Sequence, residues 1–187
     1  LARARAATEQ RGIRKQLNWS NLGPDTPFLG SLLEDPRFLG SAERIYGQEV
    51  VGYYANSNSF DSDRTEWHPD TSNLVRRGVK FAFYLQPLDG NSGALRLIPG
   101  SHKDPLHSDI ERIDLKESNE GVIAEIGLDI DEMPASIAVS QPGDVGLFDS
   151  RVWHASWGGG KDRRMCSVNY FASPTTPEEE TSMQEIK

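Results

Sequence analysis

The chain has one cysteine in 187 residues, Cys166, so it forms no internal disulfide, and a reducing, cytoplasmic setting is the expectation. Long apolar runs are missing as well. None approaches the roughly 18 residues of a membrane span, and no signal-peptide pattern is visible. Cations are in deficit, with 20 Lys and Arg against 28 Asp and Glu and a formal net charge of −8. That balance excludes a general polyanion binder, because nucleic-acid affinity comes from cations that neutralise phosphates. The expected partner is a small molecule rather than nucleic acid or membrane, and nothing in the sequence speaks to oligomeric state. One local basic cluster, Arg76, Arg77 and Lys80, reads as a solvated face, with contacts to an anionic substrate as its alternative.

The length suits a single domain that buries a core without disulfides or structural metals. Residues 2 to 18 are rich in Ala and Arg and read as helical. An apolar stretch follows from Phe28 to Leu39, punctuated by Gly30, Pro36 and Gly40. From Glu49 the pattern changes to short β-type runs separated by turn residues, as in an antiparallel sandwich or barrel. The runs are Val50–Tyr54, Val79–Leu85, Ala94–Ile98, Ser136–Val139, Asp144–Phe148 and Met165–Phe171, with breakers at Asp89-Gly90-Asn91, Pro99-Gly100, Pro142-Gly143 and Gly158-Gly159-Gly160. Residues 101–133 are mostly polar and suggest a long excursion with a little helix, of the kind used as lids or binding loops. Residues 174–187 read as a peripheral tail.

Three of the four histidines are followed two places later by an aspartate: His68 by Asp70, His102 by Asp104 and His107 by Asp109. A His and a carboxylate two apart, joined by a distant second His, make the face that holds non-haem iron and leaves coordination positions open. With 28 acids in 187 residues, a given His has an acid at that offset with a chance of about 0.15, so context must choose. His68 and Asp70 lie between a polar turn and a strand, where period-2 geometry can turn both to one side. His102 and His107 follow a Pro-Gly-Ser turn in surface-like sequence, where their acids would cap a helix or meet solvent, and His107 reads as a surface residue. His154 is the candidate distant ligand, although a His among large apolar neighbours is more often a core residue. Arg164 stands ten residues later, beyond a Gly-rich loop that folds the chain back. An inward Arg needs a carboxylate partner. A dicarboxylate co-substrate would supply one, with Ser156 donating to the same oxygens, and a structural pair with Asp149 or Asp162 is the plainer alternative.

Four stretches carry a family resemblance: Trp67-His68-Pro69-Asp70; Asn91 to Lys103, which contains Pro99-Gly100-Ser101-His102; Gly143 to Ser156, which contains Val152-Trp153-His154; and Arg164 with the following Met165–Phe171. The chain resembles the phytanoyl-CoA dioxygenase family within the Fe(II)/2-oxoglutarate oxygenases. The resemblance implies a mainly β fold, a double-stranded β-helix (jelly roll, cupin-like) with flanking N-terminal helices. It would be one oxygenase domain over 1–187, with a helical outer layer to about 48, a β-helix core over about 49–173 and the tail beyond. The resemblance also implies His68, Asp70 and His154 as iron ligands, and Arg164 with Ser156 as the anchor for the distal carboxylate of 2-oxoglutarate. His102 would be structural. The family's arginine commonly falls one residue later than Arg164, at Met165. Arg164 is the nearest cation to that position, and Arg163 is a rival expected to face the other side of the strand. Asn56 is a further candidate for the co-substrate, and Asn58 could reach co-substrate or substrate; both are equally readable as turn or edge residues.

The implied activity is oxidation of a small organic substrate by Fe(II), 2-oxoglutarate and O2, with succinate and CO2 released. Hydroxylation is favoured over halogenation, because halogenating relatives replace the carboxylate at the position of Asp70. Two alternatives are a non-catalytic protein that binds 2-oxoglutarate or metal, and a cupin-type Zn or Mn isomerase, which would have no need of Ser156 and Arg164.

Overall fold

A computed structural model describes residues 16–21, 26–60, 64–113, 126–159 and 163–186. Strands alternate their side chains between two faces, and the sequence uses that alternation to build layers. Strands β1 (Gln16–Ser20), β2 (Val50–Phe60), β4 (Gly78–Tyr84), β7 (Gly146–Asp149) and β9 (Arg163–Ala172) form a five-stranded sheet in the order β1-β2-β9-β4-β7. Strands β3 (Arg64–His68), β5 (Leu95–Leu97), β6 (Ser136–Ala138) and β8 (His154–Trp157) form a four-stranded sheet in the order β3-β8-β5-β6. Every pairing is antiparallel.

Three apolar clusters show how the layers stack. Phe60, Ala82, Tyr84, Phe148 and Met165 of the large sheet pack with Leu95 and Leu97 of the small one, so the two sheets face each other. Two facing antiparallel sheets with few helices give the expected mainly β fold and are consistent with a double-stranded β-helix. On the outer face of the large sheet, Ala55, Val79, Phe81, Val168 and Tyr170 meet Leu29, Leu32, Phe38 and Ala42 from helices α1 (Pro27–Leu32) and α2 (Pro36–Tyr46). Helix α2 starts where the Asp35 carboxylate accepts the Arg37 N–H and stops at Gly47 in the left-handed region, φ 65°, a conformation that favours glycine.

The outer face of the small sheet is covered by the described parts of the 101–133 excursion. Ile110 of α3 (Leu106–Ile113) and Ile130 of a 3-10 turn pack on Trp67, Ile98, Trp153 and Ala155. These described parts form a wall against the sheet's outer face. The expected N-terminal helix falls mostly outside the described residues, but its last part is corrected: Gln16–Ser20 is a strand, paired residue for residue with Asn56–Phe60. Ladder pairing outweighs a weak local helix preference there. The tail holds α4 (Pro177–Gln184), capped by Thr176, and it is less peripheral than expected, because Ser182 is buried.

Ser101 ties the excursion to the strand bearing His154. It is fully buried, donates its hydroxyl to the Ile98 carbonyl at 2.7 Å and accepts the Trp153 backbone N–H at 2.9 Å. Removing that hydroxyl strands a buried amide, at a cost of about 1–3 kcal/mol. Ser101→Ala is therefore expected to lower the urea-unfolding free energy by that amount with the far-UV spectrum unchanged.

Candidate metal centre

In the antiparallel pair β3/β8, His68 lies opposite His154 and Thr65 opposite Ser156. Their neighbours Trp67 and Ala155 point into the outer cluster, so these four side chains face the space between the sheets. A register shift between Thr65 and His68 lets both face inward although three positions apart. The His rings have centroids 4.3 Å apart. Asp70 follows in a turn held by its own N–H, which donates to the Ser150 carbonyl at 2.9 Å. Ligand atoms of His68, Asp70 and His154 all lie within 4.8 Å of one another.

Each imidazole is oriented from behind. His68 Nδ1 is 2.7 Å from the Glu66 carbonyl and His154 Nδ1 is 2.9 Å from the Val152 carbonyl. A carbonyl only accepts, so Nδ1 carries the proton and Nε2 keeps its lone pair, as metal ligation requires. Burial pushes the His154 pKa down to about 3, helped by the neighbouring His68 and Lys80 and opposed by Asp70. It is neutral near pH 7. For Asp70, burial disfavours the anion, yet Lys80, with Nζ at 2.7 Å, and the two imidazoles hold the carboxyl below its usual range.

Arg163 sits deeper in the same space and is 2 % exposed. Its Nη1 donates to Ser156 Oγ at 2.6 Å and to the Gly93 carbonyl at 2.8 Å, Nη2 reaches Thr65 Oγ1 at 3.5 Å, and the guanidinium lies 4.5 Å from the Phe60 ring. Its Nε has no hydrogen-bond partner, and among the described residues no carboxylate lies within 4 Å of the group. Gly93, at φ 91°, makes the approach possible: a Cβ there would stand 2.8 Å from Arg163 Nη1 and 2.7 Å from the Gly159 Cα. His68, His154, Ser156 and Arg163 line one cavity of about 190 Å³ with Asn56, Asn58, Thr65 and Tyr84.

Arg164 does not face this cavity. β9 begins at Arg163, so its odd-numbered residues turn inward, whereas Arg164 is exposed and its N–H donates to Gln86 Oε1. The inward arginine of the pair is Arg163, and the expected facing is corrected accordingly. Asn56 lines the cavity and accepts from Ser167 Oγ; Asn58 is buried there and accepts from Asn18 at 2.7 Å. His107, expected at the surface, is 1 % exposed, bonded to the Ser101 carbonyl at 2.8 Å and packed against Trp153. The apolar face of α3 buries it. His102 stays on the turn, half-buried. Arg76 and Arg77 are held by α4, through the Ser182 carbonyl and the Glu179 carboxylate, and Lys80 by Asp70. Thr65 and Tyr84 were not singled out for the site, and Lys80 entered only with the basic cluster, as the alternative of a contact to an anionic substrate. Alternation along Val79–Leu85 placed Lys80 and Tyr84 on one face, but nothing in the sequence identified that face as the interior.

The family profile described as Phytanoyl-CoA dioxygenase (PhyH) matches residues 3–165. The chain belongs to the phytanoyl-CoA dioxygenase family. An ectoine dioxygenase of Bordetella bronchiseptica is 26 % identical over 149 residues, which is 70 % of this chain and 48 % of that protein; the chain thus spans about half the length of the curated relatives it matches. The crystal structure of HygX from Streptomyces hygroscopicus, with nickel and 2-oxoglutarate bound, aligns with TM-score 0.65 and 18 % identity over 92 % of this chain and 76 % of that one. The epimerase SnoN, in complex with Fe3+, alpha-ketoglutarate and nogalamycin RO, aligns with TM-score 0.62 and 18 % identity over 92 % and 72 %.

The buried imidazole has a thermodynamic signature. An unfolded chain protonates this histidine near 6.5, the folded one only near 3. Between those values the unfolded state holds more protons, so stability is lost as pH falls through the window. The lowered Asp70 carboxyl acts in the same direction at the acid end. The urea midpoint of the metal-free protein is expected to fall steadily from pH 7 to 4.5, and His154→Gln to flatten that fall.

Proposed function

We propose that this chain is a non-haem Fe(II)/2-oxoglutarate-dependent dioxygenase domain that hydroxylates a small organic substrate. The observation that carries the reading is a His-Asp-His face whose two imidazoles line one cavity of about 190 Å³ together with a buried guanidinium that has no counter-ion among the described residues. The donor set suits Fe(II), because two imidazoles and one carboxylate leave coordination positions open. The guanidinium suits a dicarboxylate. Arg163 and Ser156 would hold its distal carboxylate, Thr65 and Tyr84 border the same space, and Asn56 lies beside it. Bidentate Arg–carboxylate contact fixes direction as well as affinity, which aims the other end of 2-oxoglutarate at the metal face.

When bound, iron with 2-oxoglutarate and O2 supplies the oxidant that replaces a substrate C–H by C–OH, with succinate and CO2 as the other products. The protein's own part is orientation and dryness. The carbonyls of Glu66 and Val152 keep both Nε2 atoms presented, Phe148 packs at 4.9 Å from the His154 ring, and the two sheets exclude bulk water from Arg163. The carboxylate at Asp70 favours hydroxylation over halogenation. The isomerase alternative has no need of the Arg163–Ser156 pair, and the intact His-Asp-His face beside that pair weighs against a pure binder.

Fe(II)-dependent succinate formation from 2-oxoglutarate is the expected activity, and His68→Ala and Asp70→Ala should each abolish it; turnover surviving in both variants would sink the assignment. Truncating one partner of a buried charge pair costs about 2–5 kcal/mol. Arg163→Ala should therefore raise the 2-oxoglutarate KM by about a hundredfold, while Arg164→Ala should leave it within about twofold of the parent. The reverse order would return the anchor to Arg164.

A further inference from the structure

A second cavity, of about 270 Å³, adjoins the first and shares Asn56 and Lys80 with it. Its other lining residues are Tyr53, Tyr54, Asp70, Ser150, Ser167, Asn169 and Phe171. Two features mark it as a built site. Consecutive residues of a strand point to opposite faces, yet Tyr53 and Tyr54 both line this cavity, because β2 shifts register between Gly52 and Tyr54. Bulges of this kind re-aim side chains next to active sites. Together with Phe171, whose ring centroid lies 5.2 Å from that of Tyr53, they form an aromatic wall.

The second feature is charge. Across both cavities the charged lining residues are Lys80, Asp70 and Arg163. Resting on the oxygenase reading above, a divalent metal joins Lys80 and Arg163 to give four positive charges, against three negative ones from Asp70 and the 2-oxoglutarate dianion. One positive charge is left over in a low-dielectric space, where an unbalanced charge is costly. Lys80 is where that charge is most available. Its side chain is 14 % exposed, Asp70 takes one of its three N–H donors at 2.7 Å, and among the described residues no other hydrogen bond to it occurs. The amides beside it are complementary in polarity. Asn169 donates Nδ2 to the Tyr54 carbonyl at 2.9 Å, which leaves its Oδ1 for a ligand, and Asn56 accepts from Ser167 with Oδ1, which leaves its Nδ2.

We infer that the primary substrate is a small carboxylic acid, bound as a monoanion with its carboxylate on Lys80, its apolar part against Tyr53, Tyr54 and Phe171, and a hydrogen-bonding group between Asn56 and Asn169. The cavity holds the volume of about nine water molecules, which suits a compact acid.

The test uses the full chain loaded with Ni(II) and 2-oxoglutarate under nitrogen, so that binding is read without turnover. Nickel and 2-oxoglutarate affinities are measured first by calorimetry, and a chain that binds neither overturns the oxygenase reading itself. A panel of small acids, each paired with its neutral amide (3-phenylpropionate, cyclohexanecarboxylate, benzoate, pyrrolidine-2-carboxylate blocked on nitrogen), is then titrated by ligand-observed NMR. Acids are expected to bind about tenfold or more tighter than their amides. Lys80→Met should erase that preference and Lys80→Arg should keep it. Amides that bind as well as acids overturn the inference, and so does a panel in which no acid binds below about 10 mM. A Lys80→Met protein that loses 2-oxoglutarate affinity and keeps its acid preference overturns it too, and moves Lys80 to the co-substrate.

Discussion

A guanidinium enclosed between two sheets, with only neutral partners among the described residues, is the constraint around which the interior is organised. Arg163 is tied to a serine hydroxyl, a backbone carbonyl and an aromatic face, none of which cancels its charge. Desolvation pulls its pKa down, but a guanidinium does not surrender its proton in a protein. The surroundings are cut to let it in: at Gly93, φ 91°, a Cβ would collide with it, and at Gly159 a Cβ would press on it at 3.2 Å. The Gly-rich loop and the Asn91-Ser92-Gly93 turn, far apart in sequence, are thus two sides of one socket.

The metal face depends on a different economy, that of register. His68 and His154 meet because β3 and β8 pair with those two positions opposite, and Ser156 reaches Arg163 because it lies two residues further on the same face. One residue of slip would turn every ligand outward. Several devices guard against it. Ser101 bonds to the Trp153 backbone, the excursion caps Trp67 and Trp153 from outside, and the Trp67 indole N–H donates to the Ile130 carbonyl at 3.1 Å. On the other side, α4 holds Arg76 and Arg77, six and seven residues beyond Asp70, so the loop that carries the carboxylate is fastened at its far end.

Much of this was legible in the residues because it is written in local pattern. The runs Val50–Tyr54, Val79–Leu85 and Met165–Phe171 became β2, β4 and β9, and His68, Asp70 and His154 converged. What was not legible turned on a single step of alternation. Choosing Arg163 over Arg164 required knowing where β9 starts, and that is set by pairing of Phe60 with Arg163 across the sheet, not by anything within the strand. His107 was misread for a similar reason. Lys103, Asp104, Ser108 and Asp109 around it are polar, but α3 turns it under Trp153. Gln16–Ser20 alternates polar and apolar residues over only five positions at the end of an Ala- and Arg-rich stretch, and its strand form is held by pairing with β2.

The hydrogen bond between Arg163 and Thr65 spans 98 positions of chain, and that between Arg163 and Gly93 spans 70. Contacts so distant in sequence form only after loop-closure entropy has been overcome, so no fragment of the domain carries a working half of the cavity. In a partly folded chain the two histidines, the aspartate and the arginine are scattered. Such a chain cannot present the three metal-ligating side chains and the guanidinium at one point, so whatever the cavity holds is held only by molecules that have finished folding.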